Sequence, residues 1–423
     1  MKVAVRDRDA IRGVVPRSAY APTTLEECAE VLAMAAREQL RLGFVGGGTA
    51  LGLGAPPAAL DAVVRTEGLA RIVEYAPADM VIVAEAGVTL AALQAEARAH
   101  GQQLALDAPF PDRATIGGLV AVGAFGPQRA RYGAVRDLII GVTLVRADGE
   151  IARGGGKVVK NVAGFDLPKV ACGSLGTLGL IAAAAFRLHP LPEATVTVLA
   201  PGLRAEAVIA VLAAARQAQL EPETAVALST SMPRAPRAPA PPAGSPPHDS
   251  LRASTGGFDL GVRFAGFARG VQHQVARFVE IARATGVGAE PLADATASVF
   301  WRRHDAVRAA ALRVRVASLP TRLPEVAQLV AGLGELAWYA TLGIGFAGAP
   351  ADVDAAAATA AITAARAALV AEGGSLVVEE APPALHAVDP WGPVAAAFPI
   401  MQRLKQRFDP DGRLNPGRFV GGL

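Results

Sequence analysis

Apolar positions along this chain fall into two rhythms, and their order predicts a mixed fold. Residues 23–40 (TTLEECAEVLAMAAREQL) carry apolar side chains at helical spacing, with Thr23 or Thr24 able to cap the helix and Glu26 and Glu27 in its first turn. A short apolar strand at 42–45 follows and runs straight into the glycine-rich stretch GFVGGGTALGLG, residues 43–54. Strand signals recur at 62–64, 71–75 and 80–87, a second helix at 89–99, and a further strand near 103–106. LIIGVTLVRADGEIA, 138–152, reads as a β-hairpin turning at Asp148-Gly149. AAAAFRL forms a last strand before Pro190 and Pro192, which place a domain boundary near 192.

The stretch 193–385 has another texture. Strand candidates at 195–200, 258–267, 312–318, 338–346 and 375–380 alternate with alanine-rich helices at 204–218, 271–285 and 351–371. This predicts an antiparallel sheet covered on one side by helices. Residues 234–250, with six prolines, read as an exposed loop. The tail from 386 holds a helix at 393–407 and then FDPDGRLNPGRF, too short for a domain and expected to pack back onto one.

Composition narrows the function classes. At 423 residues the chain is too long for one core, and 52% hydrophobic content marks it as folded. Its 41 basic and 38 acidic residues leave a formal charge of +3, with no basic tail or dense basic patch, which argues against nucleic-acid binding. Two cysteines, Cys28 and Cys172, can neither hold an iron–sulfur cluster by themselves nor build a disulfide framework, so a reducing compartment is expected. MKVAVRDRDAIRG lacks the apolar centre of a signal peptide, and the greasiest run, Leu178–Phe186, is nine residues. A cytoplasmic protein is expected, peripheral on a membrane only through a partner. No grouping of His, Asp or Glu has metal-site spacing.

Three glycine clusters remain: 46–49, 115–118 within ATIGGLVAVGAFGP, and 173–179 within ACGSLGTLGLI. Singly, each reads as a tight turn. Together, with Thr49, Thr115, Ser174 and Thr177 at their tips, they supply amides and close approach for an extended diphosphate. Gly46, Gly47 and Gly48 would turn around the phosphates, Thr115, Ile116, Gly117 and Gly118 would form a second wall, and Gly173, Ser174, Gly176, Thr177 and Gly179 a third. Neither G-x-G-x-x-G opening a βαβ unit nor a P-loop is present.

On VGGGTALGLG (45–54), ATIGGLVAVGAFGPQRARYGAVRDLIIGVTLVRADGE (114–150), KNVAGFDLPKVACGSLGTLGLI (160–181) and FDPDGRLNPGRF (408–419), the chain resembles the vanillyl-alcohol-oxidase (PCMH) type of FAD-binding flavoproteins. Within it, the chain most closely resembles the E-subunit family of glycolate oxidase. The resemblance implies an α+β fold: an FAD-binding domain at 1–192 (subdomains 1–78 and 79–192), a cap domain at 193–385 built of an antiparallel sheet and helices, and a segment at 386–423 returning to the FAD domain. It further implies that Tyr132, Gly133 and Asp137 stand near the pyrophosphate wall, that Lys160, Asn161, Gly164 and Asp166 run alongside the flavin, and that Asn415 closes over it. Read as residues alone, Lys160 and Arg131 serve equally as surface cations, Asp166 as a helix cap and Asn415 as a turn residue.

Members of this type with covalent flavin use histidine or cysteine. The glycine loop has neither, so FAD is expected to be non-covalent. Members that oxidise substrate carry H-x-G-D-G-N-x-H in the second domain; WYATLGIGFAG, 338–348, stands in its place without histidine, acid or asparagine. Those catalytic and metal groups are not carried over. His304, in FWRRHDAVR, is either a substrate-site base among arginine clamps or part of a packed helix, and the spacing favours packing. His386 is a loop residue within possible reach of a flavin. The expected function is an FAD subunit of a glycolate-oxidising complex, working with a homologous FAD-binding catalytic subunit and an iron–sulfur subunit. The alternatives are a self-sufficient FAD-dependent 2-hydroxy-acid dehydrogenase and a non-catalytic structural flavoprotein.

Overall fold

The N-terminal helix, Leu25–Arg37, starts where Thr24 accepts the Glu27 amide at 3.1 Å. Its buried stripe of Cys28, Val31, Leu32 and Ala35 follows the three-to-four spacing of one helix face. In this computed structural model, which describes residues 1–156, 166–230 and 257–423, that stripe packs on a four-stranded sheet. Strand order is Lys2–Val3, Ser18–Tyr20, Ala62–Arg65, Leu42–Val45, and the last three pair in parallel. The same core takes in Val145 and Leu180 of a second sheet, so the two sheets share one apolar seam.

The second sheet is antiparallel, in the order Ile72–Ala76, Val81–Glu85, Leu180–Arg187, Ile139–Val145, Ile151–Gly155. The expected hairpin forms its edge, with Gly149 at φ 88° in the turn. Helices Leu90–Ala99 and Ile116–Val122 cover it. The strand expected near 103–106 shrinks to Gln102–Gln103, paired with His189–Pro190. Leu104, Ala105 and Leu106 are apolar because they are buried, not because they sit in a ladder.

Eight antiparallel strands form the third sheet: Glu290–Pro291, Ala194–Leu203, Phe258–Gly266, Thr224–Ser229, Glu335–Tyr339, Ile344–Ala349, Leu312–Ala317, Ser375–Glu380. WYATLGIGF, read above as one strand, is two, folded back at Gly343 with φ 67°. Strand periodicity sorts the faces. Ala225, Ala227, Leu336 and Trp338 point into a core under Ala205–Gln217, Ala268–Ala284, Leu323–Val330 and Ala355–Ala371. Val226, Leu228, Ala337 and Tyr339 point the other way. There they meet the helix Asp294–Arg308 together with Phe125 and Ala134 of the N-terminal part. One-sided cover therefore describes half of the sheet's environment; its second face is the seam to the rest of the molecule.

The tail helix, Phe398–Phe408, begins later than the 393–407 expected. Beyond it the chain returns to the first sheet: Leu414 bridges Leu42 in parallel, and Arg413 Nη2 donates to the Ala147 carbonyl at 2.7 Å. Lys405 is buried and its ammonium donates to Thr177 O, Leu414 O and Asp409 Oδ2, a full set of three. Lys405→Met strands the buried Asp409 carboxylate, and a loss of about 3 kcal/mol is expected, measured as a lower urea midpoint.

Candidate functional site

The first glycine cluster and the helix Ile116–Val122 close on each other across the seam between the first two sheets. A Cβ on Gly47 would stand 1.6 Å from the Arg113 carbonyl oxygen; on Gly46, 2.3 Å from Thr115 Oγ1; on Gly117, 2.7 Å from the Ala86 methyl. These three glycines are therefore required first by chain-to-chain contact. The same contact opens a cleft lined by Gly46, Gly47, Gly48, Thr49, Thr115, Gly117, Gly118, Gly176, Gly179 and Asn415. Ten of the expected residues thus meet at one place. Phe44, Thr66 and Arg418, which the motifs did not single out, line it too.

Other expected residues stand elsewhere. Ile116 is fully buried in the core, and its amide and that of Gly117 are taken by Val88 O and Ala86 O. Gly133 and Asp137 build a turn in which Asp137 Oδ2 accepts the Ala134 amide, and the Tyr132 ring packs near His189. Asp166 caps Leu167–Ala171 and pairs with Lys169 at 2.6 Å. Ser174 and Thr177 hold the buried turn of the third cluster, where the Thr177 hydroxyl donates to Ser174 O, and Gly173 shapes that turn at φ 77°. Lys160, Asn161 and Gly164 lie outside the described residues.

Asn415 sits at φ 45°, a conformation asparagine tolerates, and its side chain donates to Leu175 O at 2.8 Å. It locks the third cluster onto the tail while facing the cleft. Arg418 is buried and donates to Leu51 O and Leu53 O; burial lowers its pKa to about 10, and its Nη1 has no partner. The Thr115 hydroxyl, also buried, likewise has no partner. Two orphaned donors and a glycine-walled floor fit an anionic, oxygen-rich ligand such as a diphosphate. Histidine and cysteine are absent from this lining among the described residues.

A second cavity shares the wall residues Thr49, Ala50, Leu119 and Val122 with the cleft. Phe125 and Phe346 supply aromatic wall, and Arg308, Arg313, Arg315 and Glu379 supply its charge. Glu379 bridges Arg313 and Arg315 at 3.2 and 2.9 Å. His304 is buried on the helix Asp294–Arg308, with Nε2 2.9 Å from the Tyr339 hydroxyl, and burial lowers its pKa despite the pull of Asp305. It reaches this cavity only through Tyr339 and Arg308. His386 caps a short helical turn, bonds Ala381 O at 3.2 Å, and lines neither cavity.

Beside this cavity, Asp107 Oδ1 is buried without a partner, and burial pushes its pKa up to about 6 against the pull of Arg263. The folded chain therefore holds this proton more tightly than the unfolded chain, and the stability it supports is lost as pH rises from about 4 to about 6. Asp107→Asn is expected to flatten that part of the stability profile, seen in urea midpoints across the window. The cleft generates a paired prediction. Gly47→Ala should lower both melting temperature and flavin content, because its methyl meets backbone. Gly118→Leu should lose flavin while keeping the fold, because beyond its own helix a Cβ there meets only Thr115 Oγ1, at 3.3 Å. Flavin absorbance and circular dichroism separate the two.

Residues 16–155 match the family model described as FAD binding domain. Glycolate oxidase subunit GlcE of Escherichia coli (strain K12) is 39% identical over 127 residues, 30% of this chain and 36% of that protein. D-lactate dehydrogenase of Archaeoglobus fulgidus is 35% identical over 182 residues, 42% of this chain and 41% of its own length. D-2-hydroxyglutarate dehydrogenase, mitochondrial, of Bos taurus is 31% identical over 172 residues, 41% of this chain and 32% of that protein. The alignments span less than half the length of these curated relatives. A solved alkyldihydroxyacetonephosphate synthase shares the fold, with TM-score 0.70 at 17% identity over 96% of this chain and 78% of that one. The α+β architecture of the FAD-binding type is thereby shown, and the match to the FAD binding domain supports non-covalent binding of FAD by this chain.

Proposed function

We propose that this is a flavoprotein of the vanillyl-alcohol-oxidase (PCMH) type, an FAD-dependent oxidoreductase acting on a small 2-hydroxy acid, a reading supported by the match of residues 16–155 to an FAD binding domain. One observation carries the reading: a cavity holding Arg308, Arg313 and Arg315 against a single carboxylate, Glu379, shares four wall residues with the glycine-lined cleft. Three guanidinium groups in a partly apolar wall suit a carboxylate ligand, because planar paired donors match its two oxygens. FAD, when bound, supplies a hydride acceptor.

The chain's own residues bind and orient. Thr115, Gly118 and Arg418 would face the diphosphate from the cleft. Phe125 and Phe346 narrow the second cavity and exclude water. The arginines orient the acid by its carboxylate, so that carbon 2 is presented in one pose. Most of this machinery lies within one chain, which favours a self-sufficient dehydrogenase.

Similarity to the glycolate oxidase subunit supports a narrower second reading. In it the chain works in a glycolate-oxidising complex, with a homologous FAD-binding catalytic subunit and an iron–sulfur subunit that takes the electrons onward. No helix among the described residues is long and apolar enough to cross a membrane, and we place the protein in the cytoplasm, reaching a membrane surface through such a partner.

Anaerobic addition of glycolate, D-lactate or D-2-hydroxyglutarate to the purified yellow protein separates these readings. Bleaching of the flavin band by the single chain supports the dehydrogenase. Bleaching that requires the two partner subunits supports the complex. A flavin that stays oxidised in both settings refutes 2-hydroxy-acid oxidation. Where bleaching occurs, Arg308→Leu should raise KM at least about tenfold, the loss of roughly one charged hydrogen bond.

A further inference from the structure

Arg308 differs from its neighbours in the second cavity. Arg313 and Arg315 have Glu379 as a partner, whereas no carboxylate among the described residues lies within 4 Å of Arg308. The residue is 6% exposed, and its Nε has no partner. Glu379 and Asp107 favour its charge from beyond contact distance, so the groups that touch the guanidinium are neutral and something must hold it in place.

What holds it is a chain of neutral dipoles. Arg308 Nη2 donates to Phe125 O at 2.9 Å, and Nη1 donates to the Tyr339 hydroxyl at 2.6 Å. Tyr339 Oη is 2.9 Å from His304 Nε2, and His304 Nδ1 is 2.9 Å from Asp305 Oδ1. A guanidinium only donates, so the tyrosine oxygen accepts there, and its one O–H is left for His304 Nε2. Nε2 must then be an acceptor, and the remaining ring proton sits on Nδ1 and goes to the Asp305 carboxylate. Every group has one consistent role, and the sequence ends at an exposed carboxylate. The Phe346 ring lies under the guanidinium, 4.2 Å from centroid to Cζ, and fixes its plane.

Resting on the reading of this cavity as a carboxylate site, we propose that Tyr339 and His304 are positioning residues, which aim the Arg308 guanidinium at the ligand carboxylate. Asp305 selects the histidine tautomer that the arrangement needs. Tyr339 and His304 touch neither ligand nor flavin in this scheme; they act through Arg308.

The test is titration calorimetry of the flavin-loaded protein with propionate, a carboxylate that lacks the oxidisable hydroxyl. Arg308→Leu should abolish binding. Tyr339→Phe and His304→Leu should weaken it about tenfold or more, the effect of one buried hydrogen bond. His304→Gln should bind within about threefold of wild type, because its amide oxygen still accepts from Tyr339. Flavin content and melting temperature accompany each titration, and if His304→Leu does not fold, His304→Gln against Tyr339→Phe decides. Full binding by Tyr339→Phe and His304→Leu, or equal weakening by His304→Gln and His304→Leu, overturns the positioning role alone. Wild-type protein that ignores propionate, or Arg308→Leu that binds it normally, removes the carboxylate reading of the cavity and this proposal with it.

Discussion

Everything near the cofactor depends on how closely Gly47 approaches the Arg113 carbonyl. Two sheets of different topology meet there, and their loops interlock only because a hydrogen replaces a side chain at Gly46, Gly47 and Gly117. Any larger residue would hold the loops apart, and the cleft would lose its floor. The glycines thus serve the ligand indirectly. They let two backbones touch, and the touching backbones form the floor of the cleft.

The tail completes that surface from a distance. Lys405, Arg413 and Asn415 spend their donors on carbonyls of Thr177, Ala147 and Leu175, each belonging to the second sheet or the turn that leads into it. Asn415 also takes Leu42 O through its amide, so the last residues tie both sheets together at the cleft. Arg418 comes along with them, and its unpaired Nη1 becomes part of the lining. A short terminal segment without a core of its own can do this because its polar groups are matched one to one with loop carbonyls.

The third sheet contributes through its second face. Strand alternation sends Trp338 into the helix-covered core and Tyr339 toward Phe125. The residue that accepts the Arg308 hydrogen bond is therefore the register neighbour of a core tryptophan. Chemistry and packing occupy alternate positions of a single strand, so a slip of one residue would exchange them.

Much of this was legible in the chain. Helix Leu25–Arg37, the hairpin turning at Gly149 and most of the cap strands follow from apolar periodicity and turn residues, which are local properties. The three glycine clusters announced a site because bare backbone in quantity needs a cause. The sequence could not show that Ile116 faces the core while Gly118 faces the cleft, since both belong to the same short motif and only packing against Val88 and Ala86 separates them. Nor could it show that WYATLGIGF folds back on itself, or that Tyr339, His304 and Arg308 meet. Tyr339 is 35 residues from His304 and 31 from Arg308 along the chain, and contact arises only when the helix Asp294–Arg308 is laid across the face of the sheet. Local pattern determined the elements and the cofactor loops. The arginine-lined cavity was decided by tertiary structure, because its charged groups come from separate elements whose apolar faces, and not their polar residues, dictate where they dock.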